Sequence, residues 1–599
     1  MTHAVVLGAA VDLSRPGHYV HWSIFTVSVA NLALVAVMIV IFGLALFLPF
    51  PAGRREEVPG ATEAGTAPAT APAGTPTSGA DAGMWTARVR RRVLGWLPPD
   101  KLLPDRQPAY VASWIYVFGV ASLAALGVVI TSGLALALGG PDWWHTDVVG
   151  HFFNSVHLWS VELFMALLVI HLWGKFWMAA WRGRRTATWV TGMLAFLVSV
   201  IACFTGYLSQ QNFDSQWIAT NGKDAFNAVG VGSWFNLLNF GQMLMWHIVL
   251  VPLALAFVVA VHVLLVRVRG VSHPLPRQRQ GWLASRTERE ADARPWRGAT
   301  RRYDILKEGA AASLVVVVLV VALAGILSSP DEPSITVQTW ATAAPADFIA
   351  TAANELAGTT ETAQYGPPYS NGSANVQRLI VSWQTLAGIR RRIDAPTTFV
   401  LGPLGKLAAG NAELAGALQR YRAASPDQQS SWDNAYIKAL DKVTFRGATP
   451  VLPGAPDGPV PVLVASELTL GRSGALDADL ISEKPFYGTD FTKPLLFIED
   501  GSYFAAQAQA DHLLGKQWGV MNETGTYPGQ PWLWLYQLWY ELPGLRNSAN
   551  VDLIAVYLTG LGTLLLLAIP FIPGLRDIPR LVPVHRLVWR SWNRAGRRR

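Results

Sequence analysis

The chain has 599 residues, of which 51% are hydrophobic, 25 are tryptophan and only one, Cys203, is cysteine. This composition is too apolar for an ordinary soluble enzyme. A single cysteine excludes disulfides, a Cys-x-x-Cys-His haem attachment and an iron–sulfur ligand set within the chain. The formal charge is +8, but the basic residues cluster beside apolar stretches. That distribution indicates a membrane protein and argues against nucleic acid as a partner.

Seven predominantly apolar stretches are long enough to span a bilayer as helices: 22–49, 111–138, 155–180, 188–208, 243–267, 308–328 and 549–572. The first is followed by Arg54–Arg55 and preceded by no basic stretch, which predicts a retained anchor rather than a cleaved signal peptide. The positive-inside rule assigns the basic helix ends to the cytoplasm. We therefore expect a multi-pass protein of the cell membrane with an extracytoplasmic N-terminus and a cytoplasmic C-terminus.

The predicted fold is an all-α membrane protein, in which one four-helix core is flanked by an anchor helix and two further membrane helices. We also expect a disordered linker inside the cell and an insertion domain outside the cell. The insertion domain has helix-like patterns at 375–393 and 412–424. The expected regions in chain order are the anchor, 1–50; the cytoplasmic linker and an amphipathic segment, 51–108; the four-helix core, 109–275; a cytoplasmic connector and membrane helix, 276–329; the extracytoplasmic insertion, 330–530; and an aromatic interfacial segment, last membrane helix and basic tail, 531–599.

Four of the twelve histidines fall within predicted membrane helices, His157 and His171 on one and His247 and His262 on another. Spacings of fourteen and fifteen residues place each pair on roughly one helix face, about 21 Å apart along the axis. If the helices face each other, His157 pairs with His247 and His171 with His262. Two imidazoles on opposite sides of a plane are the axial ligands of a haem iron. The alternative, a histidine that only hydrogen-bonds to a neighbouring helix, does not account for two matched pairs.

Glycines repeat the same spacing in the neighbouring helices. Gly119 and Gly133 lie fourteen residues apart in the helix before the first histidine pair, and Gly192 and Gly206 do so in the helix between the pairs. Glycine inside a helix costs about 1 kcal/mol relative to alanine and permits the close approach of a bulky group. The spacing predicts that these glycines give clearance to two flat macrocycles, although small residues also serve ordinary helix packing.

Residues 111–273 resemble cytochrome b of the bc-type and b/f-type quinol-oxidising complexes. The resemblance rests on the alternating glycine and histidine pairs, on Pro252 five residues after His247, and on RVRGVSHP after the fourth helix. It implies a di-haem core with two b-type haems, an outer one on His157 and His247 and an inner one on His171 and His262. It also implies quinone or quinol as substrate and a multi-subunit complex, with a dimer as one expected form. A Rieske iron–sulfur protein and a c-type cytochrome would be separate subunits, because this chain lacks the cysteines.

The chain departs from the family at the outer quinol site. The family places a Pro-Glu-Trp-Tyr motif between the first two helices of its C-terminal part, and residues 330–530 occupy that place here. Pro531-Trp532-Leu533-Trp534 resembles a remnant without the acid. Glu541 is a candidate for a displaced proton acceptor, or else a solvated acid in an interfacial aromatic belt. Asn154 stands where the family often has an arginine.

At the inner face, basic side chains could hold haem propionates or a quinone headgroup, although basic residues at a cytoplasmic helix end need no such role. These candidates are Lys175, Arg182 and Arg267. His273 is a candidate for binding a quinone carbonyl and relaying a proton. His145 and His151 are predicted to lie in an outer interfacial loop.

Three functions remain open at this point. The first is a di-haem cytochrome b subunit of a respiratory quinol/quinone oxidoreductase, active only as part of a complex and in contact with membrane lipid and quinone. The second is a membrane di-haem anchor that links a non-Rieske extracytoplasmic oxidoreductase to the quinone pool. The third is a transporter or assembly protein with structural histidines, which would purify without haem absorbance.

Overall fold

The structure, a computed structural model, describes residues 17–23, 25–50, 103–275, 296–440, 444–446, 449–451, 458–482, 489–514, 524–529 and 534–595, with isolated positions between 11 and 98. The predicted linker and nearly all of the predicted amphipathic segment lie outside the described residues. So do the basic connector at 276–295 and the Pro531–Leu533 part of the remnant motif.

Helices dominate the described residues. Seven of them are long and apolar enough to cross a membrane, which confirms the predicted fold class: α1 Val29–Phe47, α2 Val117–Gly139, α4 Val148–Trp177, α5 Thr186–Leu208, α7 Phe240–Arg269, α8 Ile305–Leu327 and α21 Val551–Ala568. Two shorter helices join the membrane helices of the core, α3 Pro141–Thr146 and α6 Phe213–Ala228.

The insertion is built from short helices: α9 Val337–Ala343, α10 Pro345–Ala357, α11 Glu361–Gln364, α12 Trp383–Ala387, α13 Gly402–Leu407, α14 Ala412–Ala423, α15 Pro426–Leu440, α16 Val460–Arg472, α17 Ala475–Leu480, α18 Thr492–Glu499 and α19 Ser502–Ala510. Four more follow, α20 Trp534–Glu541 before the last membrane helix and α22 Ile578–Leu581, α23 Val584–Val588 and α24 Arg590–Ala595 after it. Three antiparallel two-stranded ribbons complete the described part: β1 Tyr19–Trp22 with β2 Phe25–Ser28, β3 Arg106–Pro108 with β4 Thr300–Arg302, and β5 Thr444–Arg446 with β6 Thr449–Val451.

Several predicted bounds were wrong because local capping decides where a helix begins. The anchor helix does not start at residue 22: β1 and β2 form a hairpin, and the Ser28 side chain then accepts a hydrogen bond from the Asn31 N–H to cap α1. Similarly, α4 starts at Val148 because the Asp147 carboxylate caps it. His151 therefore lies in a helix, and His145 lies in α3. The predicted interfacial loop for these two histidines is wrong.

The core consists of two helix pairs. Helix α2 packs along α4, and α5 packs along α7, so each histidine-bearing helix lies beside a glycine-bearing one. Helix α8 covers the first pair, whereas α21 packs against α5 and α6. This arrangement turns the four histidines towards the interior that the two pairs share.

The insertion shares its apolar core with α6 and both ends of the segment that joins α5 to α7. Phe213 and Phe504 lie with their ring centroids 5.5 Å apart, and both belong to the cluster that contains Trp340 and Phe497. The Gln216 amide exchanges two hydrogen bonds with the backbone of Ile335, at 2.8 and 2.9 Å. The insertion therefore packs on the four-helix core as one body with α6.

Of the two helices predicted within the insertion, one is confirmed and one is wrong. Helix α14 follows the pattern at 412–424 closely. The pattern at 375–393 is helical only at α12, because Gly388 takes a left-handed φ of 74° and ends that helix. Its apolar side chains are exposed: Leu379, Ile380, Val381, Trp383 and Leu386.

Candidate functional site

The four membrane histidines are brought together in two levels. The imidazole rings of His157 and His247 lie with centroids 6.1 Å apart and planes at 87°, which we call the outer level. His171 and His262 lie within electrostatic range of each other, and form the inner level. The structure therefore places together the pairs that the sequence predicted. Their role as ligands stays a prediction.

Each glycine of the repeated pairs contacts one of these imidazoles. A Cβ added at Gly119 would lie 2.9 Å from His171 Cε1, and one at Gly133 would lie 3.0 Å from His157 Cε1. The second pair of helices repeats this, with 2.9 Å from Gly192 to His262 and 2.5 Å from Gly206 to His247. The nearest neighbour of each glycine is thus an imidazole. Clearance for a macrocycle against the same helices stays a prediction.

Because glycine has no side chain, three of the imidazoles reach the backbone of the neighbouring helix. His247 Nδ1 lies 3.0 Å from the Ala202 carbonyl, and His262 Nδ1 lies 3.0 Å from the Thr188 carbonyl. Each acceptor precedes the facing glycine, Gly206 or Gly192, by four residues, so it lies one helical turn away on the same face.

His157 follows the same rule on the other helix pair. It bonds to the Val129 backbone, four residues before Gly133, and its Nδ1 lies 3.0 Å from the Ser132 hydroxyl. For His247 and His262, the carbonyl accepts only from an N–H, which fixes the proton on Nδ1 and leaves the Nε2 lone pair free. For His157, the Ser132 hydroxyl donates to the Val128 and Val129 carbonyls, so it accepts from Nδ1 with the same result. Iron-binding histidines are held in this way. Only His171 Nδ1 has no hydrogen-bond partner.

A π-turn explains why one histidine pair is fifteen residues apart and the other fourteen. Residues Trp246–Leu250 form a single π-helical turn within α7, which contains His247. Pro252 has no N–H to donate to the carbonyl four residues earlier, so it favours this irregular turn. The π-turn contains one residue more than a regular helical turn. His247 and His262, fifteen residues apart, therefore lie on the same helix face, as two residues fourteen apart do in a regular helix. Sequence reasoning assumed a regular helix and missed this, although Pro252 was the available signal.

A cavity opens between the helix pairs at the outer level. His157, His247, Gly133, Gly206 and Cys203 are among its lining residues. Part of its lining is polar, where the Gln210 amide donates a hydrogen bond to the Asn154 side chain at 3.1 Å. No lysine or arginine is among the described lining residues.

His145 bonds to the backbone of Gln210, beside this polar part of the cavity lining. Its ring lies 2.7 Å from Asp331 and 2.7 Å from the Gln210 carbonyl. Burial lowers the pKa of His145, but the hydrogen bond and the charge of Asp331 outweigh burial and raise it above its ordinary value. His151 also faces Asp331, at 3.8 Å, and its Nε2 lies 2.9 Å from the Ser328 hydroxyl. Both histidines fasten the start of the insertion to the core.

The inner-face candidates divide into two groups. Lys175 lies within electrostatic range of both His171 and His262, with its ammonium 4.4 Å from the centre of the Tyr116 ring. In contrast, Arg182 donates to the His273 carbonyl at 2.5 Å. The neighbouring Arg185, which was not a candidate, donates to the Gly270 carbonyl at 3.1 Å.

His273 itself packs edge-on against the Tyr110 ring, at a centroid distance of 6.0 Å, and at a tilt of 54° against the Trp296 ring, at 5.8 Å. Arg182 therefore holds the segment that carries His273. Lys175 is the candidate whose charge acts on both inner histidines.

Near the predicted outer acid, the structure shows a second one that sequence reasoning missed. Glu541 is 8% exposed, and burial raises its pKa while the charge of Arg546 opposes the rise. Asp552, in the first turn of α21, accepts hydrogen bonds from the Tyr540 hydroxyl at 2.6 Å and the Gln377 amide at 2.5 Å. The Tyr540 hydroxyl lies 2.9 Å from that of Tyr536. No sequence signal joined Gln377 to Asp552, because 175 residues separate them.

The comparisons with known proteins agree with this core. Residues 162–333 match the family model described as Cytochrome b(N-terminal)/b6/petB, a segment that begins five residues after His157. A cytochrome bc complex cytochrome b subunit from Chlorobaculum thiosulfatiphilum is 29% identical over 218 residues, which is 31% of this chain and 50% of the relative.

Two cytochrome b6 proteins are also similar to part of this chain. The one from Heliomicrobium gestii is 29% identical over 21% of this chain and 64% of its own length. The one from Gracilaria tenuistipitata var. liui is 28% identical over 27% of this chain and 80% of its own length.

The fold defines an all-α membrane protein with several membrane-spanning helices. Within that class, residues 162–333 are similar to the cytochromes b of the bc and b6 type. The chain spans about half to two thirds of the length of the first curated relatives that it matches, 50% and 64%. A chain of a hyperthermophilic respiratory Complex III aligns with 16% identity over 69% of this chain and 97% of the other, at a TM-score of 0.29. A score of that size does not establish a common fold.

Proposed function

We propose that this chain is the di-haem cytochrome b subunit of a respiratory quinol/quinone oxidoreductase. It would carry electrons across the membrane between an outer partner or site and an inner quinone site. The observation that carries the proposal is the set of Nδ1 hydrogen bonds to neighbouring helices. These bonds leave Nε2 of His157, His247 and His262 able to bind iron.

The residues fit two b-type haems. At the outer level, His157 and His247 would hold one group in the cavity that Gly133 and Gly206 also line. At the inner level, His171 and His262 would hold the other, and the Lys175 cation within electrostatic range suits a propionate. Bound haem supplies reversible one-electron transfer. The chain's own part is to fix the imidazole tautomers and to exclude water between the two levels.

The two ends of this path belong to partners and substrates. Cys203, the only cysteine, lies within a membrane helix, so a Rieske cluster or a c-type haem would reside on other subunits. At the outer face, Asp552 with Tyr540 and Tyr536 forms a hydrogen-bonded acid that could accept a quinol proton in place of the missing motif. The relative from Chlorobaculum thiosulfatiphilum, named as a subunit of a cytochrome bc complex, supports a multi-subunit complex.

The proposal is tested by redox-titrated optical spectra and pyridine haemochrome analysis of the purified protein, with His157→Ala and His262→Ala beside it. We expect two b-type haems per chain, with the outer one lost in the first variant and the inner one in the second. Absence of haem, or spectra that neither substitution changes, would contradict it.

The anchor for a non-Rieske oxidoreductase has the same haem core, and the absent outer motif favours it. The two readings differ in the outer substrate. If purified protein with its native partners reduces quinone from an electron donor other than quinol, the second reading replaces the first.

A further inference from the structure

An exposed apolar surface lies beside the outer end of the last membrane helix. Its larger part comes from residues 379–386, where Ile380 is 87% exposed and Leu386 is 69% exposed. Its smaller part is the turn after α6, where Trp234 is 60% exposed. We call these two segments together the apolar rim: Val231, Trp234, Leu379, Ile380, Val381, Trp383 and Leu386.

The two segments form one surface because they contact each other. A Cβ added at Gly230 would lie 2.8 Å from the Trp383 carbonyl. The Arg391 guanidinium donates to the Gly232 carbonyl at 2.9 Å, and that of Arg390 lies 5.2 Å from the Trp234 ring centre. The apolar rim is therefore a continuous patch of a kind that soluble domains rarely leave in water.

Contacts with α21 fix the depth of the rim relative to the bilayer. The Arg378 N–H donates to the Asn550 side chain at 2.7 Å, at the start of the helix. The Trp383 indole donates to the Tyr557 hydroxyl at 2.5 Å, six residues after Val551. Six helical residues span about 9 Å, so Trp383 lies well inside the length of a membrane helix. Tyr557, Leu561 and Leu564, which continue down α21, are exposed as well.

The charges around the rim are those of a membrane surface. Residues 376–393 contain four arginines, Arg378 and Arg390–Arg392, and no acid. Arginine beside exposed tryptophan is typical of segments that place aromatic rings at the headgroup level and cations near lipid phosphate. The apolar rim is continuous with the lipid-exposed side of α21. A binding surface for a water-soluble partner would not need that continuity.

We propose that the apolar rim inserts into the outer-facing leaflet of the bilayer and anchors the insertion to the membrane surface. The occupant of the surface is lipid, with the acyl chains against Ile380 and Leu386 and the phosphates against Arg378, Arg390 and Arg392. This goes beyond the electron-transfer function and does not depend on haem binding.

The test uses the full chain in phosphatidylcholine nanodiscs, labelled with the environment-sensitive dye NBD at a new cysteine, in a Cys203→Ala background with unchanged secondary structure. Ile380→Cys and Leu386→Cys report on the rim, and Gln428→Cys, exposed on α15, is the matched control. We expect blue-shifted emission at 380 and 386, quenched several-fold by lipids that carry a nitroxide high on the acyl chain. The control should show water-like emission without quenching.

Two outcomes would overturn the proposal. Emission at both rim positions equal to that at position 428 would place the rim in water. Blue-shifted emission that nitroxide lipids leave unquenched would place it against protein, either a second copy or a partner subunit. Labelling at two rim positions keeps the test decisive if one cysteine variant does not fold.

Discussion

Gly206 leaves room for the His247 imidazole to reach a backbone carbonyl of the neighbouring helix. Its nearest neighbour is His247 Cε1, and the carbonyl that fixes the tautomer of His247 belongs to Ala202, one turn earlier. The glycine thus acts through the space that it leaves empty, since any side chain would separate the imidazole from its acceptor. The same relation holds for Gly133 and Gly192, so the fourteen-residue repeats of glycine and histidine describe one set of contacts.

Gly206→Ala tests this relation. A methyl group 2.5 Å from His247 Cε1 cannot be accommodated without displacing the ring, so we expect the outer haem to be lost or its potential to shift, with the inner haem unchanged. Haem content and redox titration measure this. Gly127→Ala on α2 is the control, because no atom lies within 4 Å of its added Cβ, and it should leave both haems intact. Equal effects of the two variants would show that helix flexibility, not the imidazole contact, is what matters.

Glu467 is a residue whose burial has a cost that depends on pH. It is fully buried on α16, both of its carboxylate oxygens lack a hydrogen-bond partner, and burial raises its pKa well above the ordinary value, with Asp479 adding to the rise. A carboxyl group whose pKa is raised in the folded state does not lower the free energy of unfolding at a pH below its unfolded pKa, because it is protonated in both states. As pH rises above that value the unfolded chain releases the proton more readily, so the stability of the fold decreases.

We expect Glu467→Gln to remove this loss, which is at most about 1.4 kcal/mol for each pH unit above the unfolded pKa. The variant should therefore melt at a higher temperature than the parent at pH 8, with a smaller difference at pH 5. Thermal unfolding of the full chain at both values measures it, beside Asp394→Asn at an exposed site. A stabilisation that is the same at both pH values would assign the effect to packing.

At the scale of elements, sequence patterns predicted what depends on periodicity and missed what depends on local irregularity. The seven membrane helices follow from apolar length alone, and their pairing follows from the facing histidines. The π-turn in α7, the capped start of α4 and the short α12 depend on single residues such as Pro252, Asp147 and Gly388. Long-range contacts such as Gln377 with Asp552 depend on how the insertion packs, which no local pattern encodes.

The π-turn makes a prediction about register. Deleting Val249 together with Pro252→Ala should replace the π-turn by a regular helix, so that His247 and His262 stay on one face at a spacing of fourteen. Deleting Val259 with Pro252 left in place gives the same spacing but retains the turn and rotates His262 by about 100°. We expect two haems in the first variant and one in the second, counted by pyridine haemochrome. Two haems in both would mean that the turn does not set the register.

At the scale of the whole molecule, the insertion meets the membrane core at the N-terminal end of α21. Asp552 is contacted there by Tyr540 of α20 and by Gln377 of the insertion. The resemblance to cytochrome b led us to expect an acid in this region, and Glu541 was the sequence candidate. The structure gives Asp552 the more complete set of hydrogen-bond partners.

If the outer site oxidises quinol with Asp552 as proton acceptor, Asp552→Asn should slow turnover of the complex by about 100-fold and leave the haem spectra unchanged. Glu541→Gln should change turnover by less than a few-fold. Steady-state quinol oxidation by the intact complex, over a range of pH, measures both. The reverse order of effects would return the role to Glu541.

The shared core of α6 and the insertion also sets an order of events during synthesis. Helix α6 is translated long before its packing partners, which extend from Ile335 to Leu513. Until those residues have emerged and folded, the link between α5 and α7 has nothing to pack against, and the outer end of the cavity stays uncovered. Maturation of this protein would therefore include an interval, ended when the insertion packs on α6, in which the cavity is still open on the side that the finished molecule covers.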